Sequence, residues 1–297
     1  MKHILFLVFS LSIISSQAQL SDLARLEYTY FPQRDSDNNF KRIRFSVNLP
    51  LKLNDKGAYL VPGIEYRNVG FDFKDNPGFS TDGLSNFDSY RLTLGYTYKI
   101  NKYLRFAARS GALLTSNFES SGFTGDDILY SGAVFLIKDK TGKGEAKKPW
   151  RLITGLSYST KAGIPIPLPF IYYYKKFHPK WSYGLGIPKS SIKYHVNEKN
   201  RFQLFATLDG FFANIQNNRA IPNQDGVGTS TAASISMTVA LGGLGYERYL
   251  TDHLVLYAYT GFTFVNDIRL RDEDQDDVFT INESNSFYLR GGLKFKI

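Results

Sequence analysis

Apolar and polar side chains alternate along the stretch Phe287-Tyr288-Leu289-Arg290-Gly291-Gly292-Leu293-Lys294-Phe295-Lys296-Ile297. One face carries the apolar side chains Phe287, Leu289, Leu293, Phe295 and Ile297, and the other carries Tyr288, Arg290, Lys294 and Lys296. Successive side chains of a β-strand point to opposite faces, so this stretch predicts a strand with one apolar and one polar side. Runs of about ten residues with the same rhythm recur from Ala24 onward between turn-rich gaps, which is typical of a transmembrane β-barrel.

The alternating runs predict an all-β fold, a closed antiparallel up-and-down barrel of about 14 strands, or about 12 without the short hairpin around Pro188. The middle of the chain is the least regular part, because Pro165, Pro167 and Pro169 have no N–H to donate to a strand ladder. The predicted strands are 24–31, 40–49, 58–69, 87–99, 103–116, 128–137, 150–159, 170–176, 181–187, 191–196, 201–215, 231–246, 253–265 and 287–297.

The lengths of the connections agree with this barrel. Bacterial barrels have short turns on the periplasmic side and longer loops on the outer side. Long connections, expected on the outer side, begin near Pro32, Gly70, Asn117, Asn217 and Asn266. Short turns, expected on the periplasmic side, lie at Leu53, Asn101, Asn197 and Thr251. The segment 138–149 is the exception, because it is long for a periplasmic turn.

The composition fits a barrel better than a soluble β-sandwich, which also alternates. The chain has 20 Tyr and 24 Phe, and aromatic residues are enriched at both membrane–water boundaries of a barrel. The mean hydropathy of −0.25 is modest, as expected where only alternate residues meet lipid. The net charge is +9, but the basic residues are scattered singly along strands, so we expect no nucleic-acid binding. There is no cysteine, which excludes disulfides and cysteine-based metal sites.

The N-terminus predicts export. Lys2 and His3 form a short positive region, 4–14 is an apolar core, and Ser16-Gln17-Ala18 resembles a cleavage site. The core is too short for a membrane-spanning helix. We therefore expect residues 1–18 to be a signal peptide and 19–297 to be the barrel domain.

The polar face of the predicted strands is strongly basic. If the apolar face meets lipid, the lumen carries Arg42, Arg44, Arg91, Arg109, Arg290 and Lys294, among other basic residues. The predicted lumen acids are Glu27, Glu65 and Asp209. Rings of arginine and lysine in a pore favour anions, whereas arginines paired with acids would stiffen a plugged wall. Pairing Phe31 with Phe40 across the first hairpin predicts that Glu27 lies opposite Arg44.

One predicted outer loop has the spacing of a calcium site. Acids stand at the first, third, fifth and twelfth positions of the stretch 272–283, at Asp272, Asp274, Asp276 and Glu283. Asp277 replaces the glycine that the sharp turn of such a loop requires, and no helices flank it. The two alternatives for this stretch are a Ca²⁺ site and a solvated acidic loop without a bound metal. We expect no other cofactor.

The alternation, the signal peptide and the terminal strand resemble outer-membrane β-barrel proteins of Gram-negative bacteria. The stretch Gly184-Leu185-Gly186-Ile187-Pro188-Lys189-Ser190, followed by Ile192 and Tyr194, resembles one barrel family known as a domain of unknown function. The resemblance implies a cell outer-membrane location, contact with lipid and lipopolysaccharide, and insertion by the barrel assembly machinery. It implies no catalytic or binding residues.

Two functions remain open on the sequence. The first is a passive, porin-like channel for small solutes, with anions as one class of solute that the basic lumen would favour. The second is a non-catalytic barrel with a plugged lumen that has a structural role or binds a partner or ligand. An enzyme is not expected, because His178, His195 and His253 lie at or beside predicted turns and outside any serine- or aspartate-bearing motif.

Overall fold

A computed structural model describes residues 22–33, 38–74, 77–119, 122–142, 144–160, 167–222 and 228–296. The expected signal peptide, residues 1–18, lies outside the described residues. The strands are β1 (Ala24–Pro32), β2 (Asn39–Asn48), β3 (Leu51–Lys52), β4 (Tyr59–Asp72), β5 (Asn86–Lys99), β6 (Leu104–Ser116), β7 (Ile128–Lys140), β8 (Trp150–Ser159), β9 (Leu168–His178), β10 (Trp181–Gly186), β11 (Lys189–His195), β12 (Asn200–Pro222), β13 (Thr229–Tyr249), β14 (Leu254–Arg271), β15 (Asp277–Asn282) and β16 (Phe287–Phe295). Among these residues, no helix has the length and apolar composition needed to cross a membrane.

The described strands close into an antiparallel barrel of fourteen wall strands, as predicted. Each wall strand pairs with its neighbour in the chain, apart from β3, which pairs beside β2 on β4, and β15, which pairs on β14. The ring closes where β16 pairs with both β14 and β1, with Tyr30 opposite Leu289 and Ala24 opposite Phe295. Glu27 lies opposite Arg44 in the β1–β2 pair, so the predicted register of the first hairpin is confirmed.

The outer surface of the wall is an apolar belt. Its side chains alternate with inward-facing ones and remain open to the surroundings, with Leu92 65%, Leu204 57% and Phe287 67% exposed. Apolar groups so open to water would be unfavourable in a soluble protein of this size. A bilayer would cover them, and a closed ladder leaves no unpaired edge in the hydrocarbon.

The end of the barrel that carries the longer connections, here called the outer end, is filled by a packed apolar core. Inward-facing aromatic rings from β1, β2 and β16 meet there: Phe31 and Phe40 lie 5.4 Å apart, and Phe31 and Tyr288 lie 5.0 Å apart. The outer parts of β12, β13 and β14 pack onto these rings through further buried side chains: Phe211, Ala213, Ile215, Ile235, Met237, Val239, Ile268 and Leu270. This half of the lumen is therefore closed by protein.

The outer end of β12 crosses the barrel mouth and reaches β6, although β7 to β11 separate the two strands in the wall. The hydroxyl of Thr115 donates to the carbonyl of Phe212 at 3.2 Å, and the hydroxyl of Ser116 donates to the carbonyl of Asn214 at 3.2 Å. The pairing of β12 with β13 shifts between Asn214 and Arg219, where the strand bends. We call residues 212–222 of β12 the crossing segment.

The predictions of two outer loops, beginning at Asn217 and Asn266, were wrong in part, because strands occupy some of the residues assigned to each loop. The strand predicted to end at 215 continues through Asn217 to Pro222, and residues 217 and 218 are a bend with positive φ inside it. The strand predicted to end at 265 continues through Asn266 to Arg271, and β15 occupies 277–282 of the expected loop. These extensions also alternate, but their buried face packs on the outer core.

Candidate functional site

Among the residues that the structure describes, three clusters in the polar part of the lumen are each centred on a carboxylate with more than one basic partner or a tyrosine hydroxyl, and the first is on Glu65 of β4. Glu65 lies 2.5 Å from Arg44, 2.8 Å from Arg67 and 3.6 Å from Arg91, measured between side-chain oxygen and nitrogen atoms. Neighbouring strands place these groups together, because β4 lies between β2, which carries Arg44, and β5, which carries Arg91. One carboxylate thus faces three guanidinium groups, so this cluster carries a surplus of positive charge.

The second cluster joins opposite walls of the barrel. Asp209 of β12 accepts two hydrogen bonds from Arg42 of β2, at 3.0 Å and 2.7 Å, and also pairs with Arg290 of β16. Glu27 lies 3.6 Å from Arg290 and accepts a 2.7 Å hydrogen bond from the Tyr257 hydroxyl. Arg42 and Glu27 are buried, so this cluster ties the walls together beneath the apolar core.

The third cluster was missed by the sequence analysis. Glu247 of β13 lies 2.6 Å from Lys294 and 3.4 Å from Lys193, and it accepts a 2.7 Å hydrogen bond from the Tyr259 hydroxyl. The predicted strand ended at 246, one residue short of this acid. The alternation continues through it to Tyr249, and that continuation was the available signal.

Arg109 differs from the other predicted lumen residues. It faces inward on β6 opposite Ala133, it is exposed, and it has no ion pair among the described residues. It lines a cavity of about 470 Å³ together with Arg44, Arg91 and Thr93. A guanidinium without a counter-charge in a confined space is a favourable place for an anion.

A second cavity of about 930 Å³ lies at the other end of the lumen from the apolar core, and we call it the vestibule. Its basic lining residues are Arg25, Lys176, Lys199, Arg201 and Lys296, and its acids are Asp22, Glu198 and Asp252. Asp22 and Arg25 line both cavities, so the vestibule adjoins the space around Arg109. An anion entering the lumen from this end would meet basic groups along this path.

The comparisons with known proteins place this barrel in a family. A family model described as Domain of unknown function (DUF6268) matches residues 15–296. The chain belongs to this family. None of the curated proteins matches it in sequence.

Solved structures similar to this family member include the NanC porin, at 10% identity over 92% of this chain and 100% of that one, with a TM-score of 0.41. The translocator domain of the autotransporter NalP from Neisseria meningitidis is similar at 11% identity over 100% of this chain and 96% of that one, with a TM-score of 0.38. The toluene transporter TodX from Pseudomonas putida is similar at 10% identity over 93% and 89%, with a TM-score of 0.36.

The structure brings one serine and one histidine together in a way the sequence did not indicate. Ser182 Oγ and His195 Nε2 lie 2.9 Å apart on the neighbouring strands β10 and β11. The pair resembles the first two members of a hydrolytic triad. Ser182 is only 1% exposed, however, and of the two residues only His195 lines the vestibule.

The predicted calcium residues do not converge. Asp272, Asp274 and Asp276 lie in the turn between β14 and β15, where Asp272 accepts a 2.9 Å hydrogen bond from the Asp276 backbone N–H. Glu283 lies beyond the far end of β15. Within the described ranges, no group of three or more acids or histidines is arranged to hold a metal ion.

A buried carboxylate fastens the crossing segment to the loop before β7, in which Gly125–Asp127 form a single turn of 3₁₀ helix. Asp127 accepts 2.7 Å hydrogen bonds from the Asn214 amide, the Gln216 amide and the Thr124 backbone N–H. Burial opposes ionisation of this carboxyl, but the hydrogen bonds outweigh it and lower the pKa of Asp127 below its ordinary value. We call this arrangement the latch.

Proposed function

We propose that the protein is an outer-membrane channel for small anions and that its outer end is closed in this structure. The apolar belt and the closed strand ladder support insertion in a bilayer, and the expected signal peptide supports export to the outer membrane of a Gram-negative cell. The outer loops would then lie among lipopolysaccharide, and the barrel assembly machinery would insert the chain.

The observation that carries the proposal is the uncompensated charge around Arg109. Arg44 and Arg91 share the single carboxylate of Glu65 with Arg67, and Arg109 has no ion pair among the described residues. The field of this group concentrates anions in the cavity and disfavours cations. The basic vestibule extends the same field to the periplasmic end.

The second candidate is a ligand-binding barrel whose lumen never opens outward. The packed core at the outer end favours it, since Phe31, Phe40 and Phe87 are almost completely buried there. Conduction requires both the crossing segment and the apolar core beneath it to move out of the lumen. The ligand-binding barrel requires no such movement.

Planar-bilayer recording separates the two candidates. We expect the refolded protein to conduct in brief openings and to prefer Cl⁻ over K⁺ in a salt gradient. Changing Arg91 and Arg109 to Gln should reduce that preference several-fold, seen as a shift of the reversal potential toward that of a cation channel. Arg248→Gln is the matched control, because Arg248 lies near the C-terminal end of β13, where its side chain is exposed on the outward face of the barrel.

Two results would contradict the channel. One is the absence of conductance both in the parent protein and in a variant with the latch removed by Asp127→Asn. The other is an unchanged reversal potential in the double arginine variant. Absent conductance combined with measurable binding of chloride or phosphate would favour the ligand-binding barrel.

A further inference from the structure

One wall of the cavity around Arg109 is apolar. Strand pairing sets Ala107 opposite Phe135, Phe135 opposite Gly155, and Gly155 opposite Phe170, so these four residues form one row across β6 to β9. The row faces inward, because its neighbours Leu136, Leu156 and Ile171 are exposed on the lipid side. Ile137 and Ile153 line the cavity from the next row.

Gly155 allows the two aromatic rings of the row to meet. A Cβ at this position would lie 2.2 Å from the carbonyl oxygen of Val134 and 2.6 Å from the ring of Phe135. The rings of Phe135 and Phe170, one on each side of the glycine, contact edge to face at 5.3 Å. The pair forms a continuous apolar surface inside the barrel.

This apolar surface is not packed against other protein atoms in the way the outer core is. Phe135 and Phe170 are partly exposed, whereas Phe87 and Phe40 of the outer core are fully buried. The wall strands shield these inner rings from lipid, so their exposed parts face the cavity. Covering apolar surface with an apolar group removes it from water, which is favourable.

The basic groups lie immediately beside the apolar row. Arg109 and Ala107 are successive inward-facing residues of β6, and such residues are about 7 Å apart along a strand. The cavity of about 470 Å³ falls within the roughly 300–1,000 Å³ of small-molecule sites. A charge beside an apolar surface complements a ligand that has an anionic head and a short apolar chain.

We infer that the lumen binds a single-chain amphiphilic anion, with its head group at Arg109 and Arg91 and its chain along the row from Ala107 to Phe170. This inference deepens the proposed function and rests on it for the entry of anions. The ligand class is an alkyl or acyl chain carrying a phosphate or carboxylate, either dissolved in the periplasm or released from a lipid.

The test measures binding to the full barrel in lipid nanodiscs by titration calorimetry, with empty nanodiscs subtracted. The probes are inorganic phosphate, octyl phosphate and octanol. We expect octyl phosphate to bind at least ten-fold more tightly than phosphate, and octanol to bind weakly. A series of butyl, hexyl and octyl phosphates should bind more tightly with each added pair of methylenes, and this series needs no variant.

Two variants locate the site. Phe170→Gln should remove the advantage of octyl phosphate and leave the affinity for phosphate unchanged, whereas Arg109→Gln should weaken both. Phe123→Gln is the control for the aromatic change, because Phe123 is 68% exposed on an outer loop. Heat-modifiable migration on a gel checks that each variant has folded.

The outcomes separate this inference from the proposed function. Equal affinity for phosphate and octyl phosphate in the parent would overturn the amphiphile and leave the anion channel standing. Octanol binding as tightly as octyl phosphate would overturn the role of the arginines. If the parent protein neither binds anions nor conducts, the proposed function is contradicted as well.

The source of the ligand is tested by blocking conductance. Block by octyl phosphate from the vestibule side alone supports a soluble amphiphile. Block by dodecyl phosphate already dissolved in the bilayer supports a lipid fragment. Block by neither overturns the inference, since a chain bound in the cavity beside Arg109 would narrow the lumen there.

Discussion

Asp127 accepts a 2.7 Å hydrogen bond from the side-chain amide of Gln216, and this contact joins the loop before β7 to the segment of β12 that crosses the outer mouth. The two residues belong to parts of the wall that are separated by four complete strands, β8 to β11. The contact therefore does not maintain the wall itself. It maintains the position of the crossing segment above the lumen.

Replacing the latch carboxylate should free the crossing segment. In Asp127→Asn, an amide N–H₂ takes the place of one acceptor and faces the donors of Thr124, Asn214 or Gln216. Hydrogen bonds to a charged group contribute about 1.5–3 kcal/mol each, so we expect faster amide exchange over 212–219 and a higher open probability in bilayer recordings. Asp126→Asn is the control, because Asp126 is its exposed neighbour. Equal exchange in the two variants would show that the latch does not hold the segment.

The stability of the latch should also depend on pH. Its hydrogen bonds lower the pKa of Asp127, so their stabilisation is fully present above the ordinary pKa of an aspartate, about 3.9, and is lost as the pH falls through the lower pKa of the latched state. We expect conductance, recorded with the outer side acidified, to be constant from pH 7 to about 5 and to rise below about 4. Asp127→Asn should lack this rise. A rise centred near neutral pH would assign the effect to another group.

Glu27 should be coupled energetically to Tyr257 and not to Arg44. Glu27 lies opposite Arg44 in register, but its carboxylate accepts the Tyr257 hydroxyl at 2.7 Å, while Arg44 pairs with Glu65 at 2.5 Å. In double-mutant cycles followed by urea unfolding from lipid, Glu27→Gln with Tyr257→Phe should give a coupling of about 0.5–3 kcal/mol. The cycle of Glu27→Gln with Arg44→Gln should be additive. Coupling in the Glu27–Arg44 cycle and additivity in the Glu27–Tyr257 cycle would contradict these contacts. That result would mean that Glu27 interacts with its register partner on β2.

Removing the strand 287–297 should prevent folding. Without β16, the facing edges of β14 and β1 are both unpaired, and each unsatisfied backbone group in hydrocarbon costs several kcal/mol. We expect no heat-modifiable, protease-resistant barrel from this truncation. Removing Ile297 alone leaves the described strand β16, Phe287–Phe295, complete, and we expect the barrel to fold. A folded barrel from the longer truncation would contradict the closure between β1 and β16.

The wall could be predicted from the sequence because a barrel strand meets two different environments on its two faces. Every wall strand overlaps a predicted one, including the short pair around Pro188. The partners inside the lumen could not be predicted, since Glu27 reaches Tyr257 of β14 instead of Arg44, its register partner. Side chains in a lumen meet across the barrel, and the direction in which each one reaches is not encoded in local alternation.

The outer closure was hidden for a different reason. The crossing segment and the ends of β13 and β14 alternate like wall strands, but their buried face is apolar, whereas deeper in the lumen the buried face is polar. Asp127 is one acid in a polar loop, and nothing near it in the sequence indicates that Asn214 and Gln216 will meet it. Contacts of this kind depend on the three-dimensional path of β12.

The length of β12 has a consequence for how substitutions are tolerated along one strand. Its 23 residues exceed the roughly 9–11 that cross a bilayer, so the strand continues from lipid into water. Leu204 and Leu208 point outward and are 57% and 53% exposed, which suits hydrocarbon, while Phe211 and Ile215 point inward and are buried. In a scan that places aspartate at each outward position, we therefore expect the barrel not to fold when the change lies below one residue of β12. Above that residue we expect it to fold, although aspartate at Asn214 would disrupt the latch. That boundary would mark the height of the membrane surface on the protein.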